Sequence, residues 1–429
     1  MDISTLYTYF KECGKVTTDT RNCPEGSMFI ALKGETFNGN AFAHQALEKG
    51  CRYAVVDEEK YADAPNIFLV DNCLETLQSL ANHHRRVLGT RIIGITGTNG
   101  KTTTKELIAT VLLQKYNVLY TQGNLNNHIG VPLTLLGLNE THDLAVVEMG
   151  ANHPGEIRTL VNIAEPDCGL ITNVGKAHLE GFGSFEGVVK TKSELYDYLR
   201  SKEDAFIFLD KDNEVLCEVS AGLESIGYGM ENDALYVSGK FHACAPFLAF
   251  EWSHEGNNYD VQTHLIGAYN IKNALAAIAI GCRFDVPAEA ICKALNNYIP
   301  SNNRSQLTKT ADNHLIVDAY NANPTSMRAA LENFRLMEVP HKMAVLGDMK
   351  ELGEGSTEEH RQIVSLLTTC NFEKVILVGA EFGKVNESFE HYPDVEAVKE
   401  IFSQNKPKGK YVLIKGSNSM KLSQLKDLL

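Results

Sequence analysis

A glycine-rich turn that ends in Gly-Lys-Thr follows a short apolar segment, in the stretch RIIGITGTNGKTTTK over residues 91–105. Its glycines can adopt backbone angles closed to other residues, so successive N–H groups can point at anionic oxygens. Lys101 adds a positive charge, the Thr102 hydroxyl can bind a magnesium ion, and the helix that starts there favours anions at its N-terminus. We predict a nucleotide-binding loop made of Gly97, Thr98, Asn99, Gly100, Lys101, Thr102 and Thr103.

This loop departs from the common P-loop pattern, which places a glycine five residues before Gly100. Ile95 stands at that position, and the nearby glycines are Gly94 and Gly97. The alternative is that Gly-Thr-Asn-Gly is only a tight turn between a strand and a helix. We interpret the segment as a variant mononucleotide-binding loop that binds ATP.

A carboxylate, Glu148, ends the apolar segment DLAVVE. In parallel α/β sheets, ligands bind outside the carboxyl ends of the strands, which is also where the predicted phosphate loop must lie. Glu148 is therefore a candidate magnesium ligand. The alternative is a surface carboxylate at the junction of a strand and a loop.

Two further candidates, His178 and Lys192, occur in NVGKAHLEGFGSFEGVVKTKSELY. His178 lies in a glycine-flanked loop and Lys192 on the predicted helix beyond it, so both could approach the same magnesium region. Imidazole is not the usual ligand of magnesium, and a cationic lysine would be repelled by the ion. Taken alone, His178 is more often structural, and Lys192 would pair with Glu194 or Glu186 or bind an anionic substrate.

The 429 residues exceed what one hydrophobic core usually supports, so we expect two or three domains. Residues 1–86 mix short apolar segments with polar turns, which predicts a small α/β domain. Residues 87–300 alternate predicted strands and helices, which indicates a mainly parallel sheet in a P-loop-type central domain. Residues 301–429 repeat that alternation and predict a Rossmann-like domain. The fold class is therefore α/β in three domains, with a polar linker at 300–305.

Composition excludes several classes of protein. The hydrophobic fraction of 44% and the charged fraction of 22% are ordinary for a globular protein, and no apolar run approaches the roughly 20 residues of a membrane span. The first residues, MDISTLYTYFKECGK, do not resemble a secretory signal, and the ten cysteines form no Cys-x-x-Cys pair. The net charge of −14 disfavours nucleic acid as a partner. We expect a cytoplasmic protein with reduced thiols and no structural metal.

Several segments occur in the order in which Mur ligases carry them, namely GITGTNGKTTTK, EMGANHPGEI, NVGKAHLEGFGS, HLIGAYNIKNALAA and the pair Arg304 and Asp318. The chain thus resembles that family of ATP-dependent enzymes, which add amino acids to the peptidoglycan precursor. The segments GNLNNHIGVPLTLL, DAYNANPTSM, VLGDMKELGEGS and KGSNSMKL look most like the member that adds D-alanyl-D-alanine to UDP-N-acetylmuramoyl-tripeptide. The resemblance covers all three blocks and implies a monomer.

The resemblance also implies roles for the candidate residues. ATP would bind between the central and C-terminal domains, with Lys101 on its terminal phosphates. Thr102 and Glu148 would hold one magnesium ion, and His178 with a carbamylated Lys192 would support a second. Carbamylation replaces the lysine cation with an anion that carries two oxygen acceptors, which resolves the oddity of a lysine beside a hard metal.

Further ATP contacts are implied at Asn273, Arg304 and Asp318. Asn273 matches the family position that reads adenine, although Asn270 is a near neighbour and the amide could simply lie on a helix face. Arg304 matches a phosphate-binding arginine in the interdomain linker, and Asp318 matches an ATP-contacting aspartate.

Substrate contacts are implied less sharply, because each of these residues could instead be a turn former or a solvated charge. Two residues also depart from the family pattern: Asn40 replaces an expected histidine near the uridine, and Asn418 replaces an arginine that is more usual in KGSRSMK. The residues implied near the uridine diphosphate are Thr20, Arg21, Lys33 and Asn38. Those implied near the sugar-peptide or the incoming dipeptide are Asn126, Asn127, Tyr320, Asn321, Asn323 and Lys415.

Three rival readings remain open at this point. The family member that adds the third residue would be expected to carry Asp-Asn-Pro-Arg, where this chain has DAYNANP. Folylpolyglutamate synthetase shares the ATP core but lacks an N-terminal domain such as residues 1–86 predict. A non-catalytic nucleotide sensor would need only part of the set Lys101, Glu148, His178 and Lys192.

Overall fold

The computed structural model describes residues 1–300 and 306–429, which form three α/β units in chain order. In the first unit, short 3-10 turns at Gly39–Phe42 and Glu59–Tyr61 connect the longer elements. The bounds of those elements are α1 (Ile3–Cys13), β1 (Val16–Thr17), β2 (Met28–Ile30), β3 (Lys33–Gly34), β4 (Phe37–Asn38), α2 (Ala43–Glu48), β5 (Tyr53–Val56), β6 (Ile67–Leu69) and α3 (Cys73–Leu88). A parallel sheet runs in the order β1-β2-β5-β6, and β3 and β4 form a small hairpin.

Helix α3 connects the first unit to the second. Its N-terminus is capped by the Asn72 side chain, which accepts from the N–H groups of Leu74 and Glu75, and Gly89 ends it in the left-handed conformation with φ of 66°. Near its end, Arg85 and Arg86 both pair with Glu165 of the second unit. The helix therefore packs against both units.

The second unit is built on one large, mainly parallel sheet, as predicted. Its strands are β7 (Arg91–Thr96), β8 (Val118–Tyr120), β9 (Leu144–Glu148), β10 (Cys168–Ile171), β11 (Phe206–Asp210), β12 (Glu224–Met230), β13 (Val237–Cys244), β14 (Phe247–His254) and β15 (Asn257–Ile266). Its helices are α4 (Lys101–Leu112), α5 (Gly130–Leu135), α6 (Glu156–Ala164), α7 (Leu179–Phe182), α8 (Phe185–Arg200), α9 (Glu214–Val219), α10 (Asn270–Arg283) and α11 (Ala288–Asn297). The sheet order is β15-β14-β13-β12-β11-β10-β7-β9-β8, in which only the pairs β13-β14 and β14-β15 are antiparallel.

Strand β7 lies between β9 and β10, so the loops that follow these three strands leave the sheet at the same edge. The apolar side chains of β7, such as Ile92 and Ile93, are fully buried. Because β8 and β9 lie on one side of β7 and β10 on the other, the connections diverge beside β7. Such a divergence point is where ligands bind in open α/β sheets.

The third unit, which ends the described chain, has a Rossmann-like arrangement. Its strands are β16 (Gln306–Lys309), β17 (His314–Asp318), β18 (Lys342–Gly347), β19 (Lys374–Val378), β20 (Glu390–Tyr392) and β21 (Tyr411–Lys415), and its helices are α12 (Pro324–Leu336), α13 (Ser356–Thr368), α14 (Ala380–Val385) and α15 (Val395–Gln404). Short 3-10 helices span Gly353–Gly355, Asn418–Met420 and Leu422–Asp427. The sheet order is β16-β17-β21-β18-β19-β20, and only the β16-β17 pair is antiparallel.

Membrane insertion finds no support in the helices. Over residues 1–300 and 306–429, none of them combines the length and the apolar character that crossing a bilayer requires.

Two facing glycines bring helix α8 close to the sheet. Gly94 of β7 pairs with Gly169 of β10, and the side chain of Leu195 from α8 packs on both. A Cβ at position 169 would lie 2.5 Å from the Gly94 carbonyl oxygen, which is shorter than a contact can be. The missing side chains therefore allow α8 its close approach.

We expect Gly169→Ala to lower the free energy of unfolding of the second unit by about 1–3 kcal/mol, because the strands and α8 must separate to admit a methyl group. Urea unfolding followed by the fluorescence of Trp252, the one tryptophan of the chain, measures this change. Gly355→Ala is the control, because its Cβ would meet nothing within 4 Å. Equal unfolding midpoints for the two variants would show that the glycine pair is not needed for packing.

Candidate active site

A cavity of about 820 Å³ lies at the carboxyl ends of β7 and β9, and all three units contribute to its wall. Helix α3 supplies Leu74 and Gln78. The second unit supplies Thr98, Asn99, Gly100, Lys101, Thr103, Asn126, Asn127, Glu148, His178, Asn270 and Asn273, and the third supplies Asp318, Tyr320, Asn321 and Lys415. Most of the residues predicted from the nucleotide and magnesium motifs are therefore brought together.

The glycine-rich loop has the backbone geometry that its sequence predicts. Gly97 has φ of 141° and Gly100 has φ of 78°, values that favour glycine. A Cβ at Gly97 would also lie 2.1 Å from Thr172 Oγ1, so the loop passes tightly over the end of β10. Lys101 Nζ donates to the carbonyl oxygens of Gly97 and Thr98 at 2.7 and 3.0 Å, so its ammonium group lies over the loop.

Helix α4 begins directly after this loop. Gly100, which precedes it, has no side chain that could cap the first N–H groups of the helix. These groups lie where the cavity wall is formed by Gly100, Lys101 and Thr103. The helix N-terminus can therefore bind an anion such as a phosphate.

Glu148 is buried at the end of β9, with 1% of its surface exposed. Its Oε1 accepts from the Thr102 hydroxyl at 3.2 Å and from Asn126 Nδ2 at 2.8 Å. Its Oε2 is buried and accepts no hydrogen bond from any residue of 1–300 or 306–429. A buried carboxylate oxygen without a partner is costly, and magnesium prefers oxygen ligands of this kind. The Thr102 hydroxyl and the Glu148 carboxylate thus fit a magnesium ion.

Lys192 is also buried, with 2% of its surface exposed. Its Nζ donates to the Ala151 carbonyl oxygen at 3.2 Å. The pairing with Glu194 that the sequence left open is not formed, because the Glu194 carboxylate accepts from the backbone N–H groups of Gly155 and Arg158. Burial, and next the charge of Lys101, hold the pKa of Lys192 well below its ordinary value. The amine is therefore favoured in its neutral, nucleophilic form.

His178 lies where the second and third units meet. It has a left-handed backbone with φ of 50°, and its Nδ1 contacts the Glu351 carboxylate of the third unit. Burial lowers the pKa of His178, the nearby Lys101 charge lowers it further, and Glu351 opposes both. The side chain is thus held at the cavity wall by a partner from another unit.

Two more contacts join the second and third units around the cavity. Lys176 Nζ pairs with Glu359 at 2.8 Å, and Asn323 Nδ2 donates to Asn99 Oδ1 at 2.7 Å. The second contact links the phosphate loop itself to the N-terminus of α12. The arrangement is closed, so Asp318 lines the same cavity as Lys101.

The polar residues predicted to contact the sugar-peptide or the dipeptide have mixed roles. Lys415 is buried and its Nζ binds Asp318 Oδ2 at 2.5 Å and the Asn321 carbonyl oxygen at 3.3 Å. Asn323 caps α12, and Asn321 Oδ1 accepts from the next backbone N–H. Asn127 likewise caps a turn, since its Oδ1 accepts from the backbone of residues 129 and 130. Asn127 and Asn321 thus form turns and also line the cavity, whereas the described cavity wall does not include Asn323.

The predicted uridine-binding residues lie elsewhere, since within the described chain the cavity wall includes none of Thr20, Arg21, Lys33 and Asn38. Arg21 pairs with Asp19, and Lys33 pairs with Asp57 and Glu58. Asn40 is fully buried and exchanges two hydrogen bonds with Asp57. Asn418 lies in a 3-10 helix after β21, and Arg304 lies outside the described residues.

Sequence reasoning missed the partners of the predicted residues. Glu351 and Glu359 contact the second unit, yet neither was singled out, and Asn270, which bonds to Asn273, was considered only as an alternative to it. The only signal was indirect, because Glu351 lies in the segment VLGDMKELGEGS that carried the resemblance.

Family models match the chain in order along its length. The model described as "Mur ligase family, catalytic domain" matches residues 13–85, "Mur ligase middle domain" matches residues 95–281, and "Mur ligase, glutamate ligase domain" matches residues 303–418. A relative from Bacillus subtilis (strain 168), named UDP-N-acetylmuramoyl-tripeptide--D-alanyl-D-alanine ligase, is 36% identical over 437 residues, which cover 96% of this chain and 93% of the relative.

Solved structures agree with these matches. A crystal structure of MurF from Acinetobacter baumannii is similar with a TM-score of 0.87 and 29% identity, over 99% of this chain and 98% of that one. MurF ligase from Thermotoga maritima in complex with ADP is similar with a TM-score of 0.86 and 27% identity, over 96% of each chain. With a closed three-unit fold, a phosphate loop at the divergence point of its central sheet and relatives matched along nearly its full length, this chain belongs to the Mur ligase family.

Proposed function

We propose that this chain is an ATP-dependent ligase that adds D-alanyl-D-alanine to UDP-N-acetylmuramoyl-tripeptide in the synthesis of the peptidoglycan precursor. The observation that carries the proposal is the unpartnered, buried Oε2 of Glu148, a carboxylate whose other oxygen, Oε1, accepts from the Thr102 hydroxyl at the start of the phosphate-loop helix. The name of the B. subtilis relative supports the choice of substrates. The ADP complex of the T. maritima relative supports the choice of nucleotide.

ATP lies along the phosphate loop in this proposal. The N-terminus of α4 and the Lys101 ammonium group bind its terminal phosphates. Asn273 reads the adenine, Asp318 contacts the nucleotide from the third unit, and Arg304 completes the phosphate contacts. Thr102 and Glu148 hold one magnesium ion, and His178 with a modified Lys192 supports a second. Bound there, magnesium would neutralise charge on the phosphate oxygens.

Lys192 has the chemistry that carbamylation requires. The neutral amine attacks carbon dioxide, forms an N–C bond and loses one proton, which leaves an anionic carbamate with two oxygens. Burial lowers the pKa of Lys192 well below its ordinary value, which raises the fraction of the neutral amine. The modification converts a buried group that disfavours a metal into one that binds it.

Catalysis then proceeds in two steps. The terminal carboxylate of the tripeptide attacks the γ-phosphorus of ATP and forms an acyl phosphate. The bond between the γ-phosphorus and the bridging oxygen of the β-phosphate breaks, and ADP is the leaving group. Lys101 lowers the repulsion between these anions and stabilises the charge on the transferring group. The amine of D-alanyl-D-alanine attacks the acyl carbon and loses a proton, and phosphate departs from the tetrahedral intermediate. The closed third unit excludes water that would hydrolyse the acyl phosphate.

The proposal also assigns residues to the rest of the substrate. Asn126, Asn127, Tyr320, Asn321 and Lys415 line the cavity and would contact the peptide and the dipeptide, as would Asn323, which caps α12. Thr20, Arg21, Lys33 and Asn38 stay predictions for the uridine diphosphate. A cytoplasmic location and a monomeric state also stay predictions.

We expect phosphate release from ATP and magnesium only when UDP-N-acetylmuramoyl-tripeptide and D-alanyl-D-alanine are both present. D-alanine and a diamino acid serve as separate controls for the second substrate, and a coupled phosphate assay measures the rate. Turnover with UDP-N-acetylmuramoyl-dipeptide and a diamino acid instead would assign the third-residue activity. ATP binding without turnover on any combination would favour a nucleotide sensor.

We expect Lys192→Ala to lower kcat by about 10²-fold or more, because the group that carries the carbamate is lost. Short carboxylates such as formate or acetate should restore part of the rate, because they can replace the carbamate oxygens. Lys190→Ala, an exposed lysine on the same helix, is the control and should keep the wild-type rate. An inactive Lys192→Ala that no carboxylate rescues would contradict the carbamate.

A further inference from the structure

A chain of hydrogen bonds runs behind the phosphate loop through side chains that are nearly or fully buried. The Thr104 hydroxyl lies 3.0 Å from Asn273 Oδ1, and Asn273 Nδ2 lies 2.8 Å from Asn270 Oδ1. Asn270 Nδ2 in turn lies 2.8 Å from the Ile266 carbonyl oxygen. The exposed fractions are 0% for Thr104, 4% for Asn270 and 8% for Asn273, so water competes little for these bonds.

The last member of this chain fixes the direction of every bond in it. A carbonyl oxygen can only accept, so Asn270 must turn its NH₂ group toward Ile266. Its Oδ1 then faces Asn273 and must receive an N–H from that residue. Asn273 Oδ1 is left facing Thr104, whose hydroxyl donates to it. The Asn273 amide is therefore held in one of its two orientations.

Asn273 is the member of this hydrogen-bond chain whose side chain lies against Gly100 of the phosphate loop. It lines the cavity together with Gly100, where a Cβ would lie only 2.7 Å from Asn273 Oδ1. An amide offers two N–H groups and two acceptor sites on its oxygen, and the hydrogen bonds to Asn270 and Thr104 use one of each. Asn273 thus keeps one donor and one acceptor for a ligand.

We propose that Thr104, Asn270 and the Ile266 carbonyl group select the base of the bound nucleotide by fixing the orientation of the Asn273 amide. This inference rests on the proposed function, in which Asn273 faces the adenine of ATP. Adenine presents an acceptor at N7 beside a donor at N6, which one N–H and one amide oxygen match together. Guanine presents acceptors at both N7 and O6, as does hypoxanthine. The fixed amide places its oxygen against O6, where two acceptors repel.

Thr104 acts on the base only through Asn273 and is a positioning residue. Its test compares the dissociation constants of ADP and inosine diphosphate, measured by calorimetry on the full chain. Inosine diphosphate carries O6 without the 2-amino group of guanine, so the comparison isolates the position that Asn273 reads. The wild type should bind ADP at least about tenfold more tightly than inosine diphosphate.

Thr104→Val should reduce this preference by about three- to tenfold, because Asn273 Oδ1 would face a methyl group and lose one of its two anchors. Thr104→Ser keeps the donor and should restore the preference. Thr110→Val is the matched control on the same helix, where the hydroxyl bonds only to the Glu106 carbonyl oxygen, and should leave the ratio unchanged. Asn270→Ala removes the hydrogen bond on the other side of Asn273 and should also reduce the preference for ADP. This second variant tests the inference even if Thr104→Val folds poorly.

The possible failures can be told apart. A wild type that binds neither nucleotide would overturn the proposed function and this inference with it. A wild type that binds both equally would overturn the inference alone, as would unchanged ratios in Thr104→Val and Asn270→Ala. If both variants bound ADP and inosine diphosphate more weakly by the same factor, the hydrogen-bond chain would only stabilise the structure. That result would also overturn the inference.

Discussion

A buried carboxylate with one unpartnered oxygen is the constraint around which the site is organised. Glu148 is removed from water at the end of β9, and its backbone N–H donates to the Thr121 hydroxyl at 3.0 Å. Thr102 and Asn126 occupy Oε1 and leave Oε2 without a partner in the described chain. Burying a charged group is costly unless it is paired, so this arrangement is best completed by a cation. A cation at Oε2 would lie next to the loop that we propose binds the phosphates of ATP.

The third unit contributes partners for residues at the carboxyl end of the central sheet. Glu351 reaches His178, Glu359 pairs with Lys176, and Asn323 bonds to Asn99 of the phosphate loop. Each contact joins a loop at the carboxyl end of the central sheet to the third unit, so the proposed catalytic groups lie together with the walls that would exclude water. The N-terminal unit stays attached through α3, whose arginines Arg85 and Arg86 pair with Glu165.

The fold could be predicted from the sequence because its signals are local. The apolar segment that ends at Glu148 is observed as strand β9, and Gly97 and Gly100 form the predicted loop, since only glycine accepts those angles easily. The partners of Lys192 and His178 could not be predicted, because burial and contacts between units depend on residues far away in sequence, as Ala151 and Glu351 are.

The metal position can be observed in a crystal of the full chain grown with ADP and manganese, by the anomalous scattering of the metal. We expect a peak at a ligand distance of about 2.1–2.3 Å from Glu148 Oε2, with the Thr102 hydroxyl also bound. That peak would show that the unpartnered oxygen is a metal ligand. A peak that avoids Glu148, with Oε2 bonded to a protein group or water instead, would contradict the organisation of the site around this carboxylate.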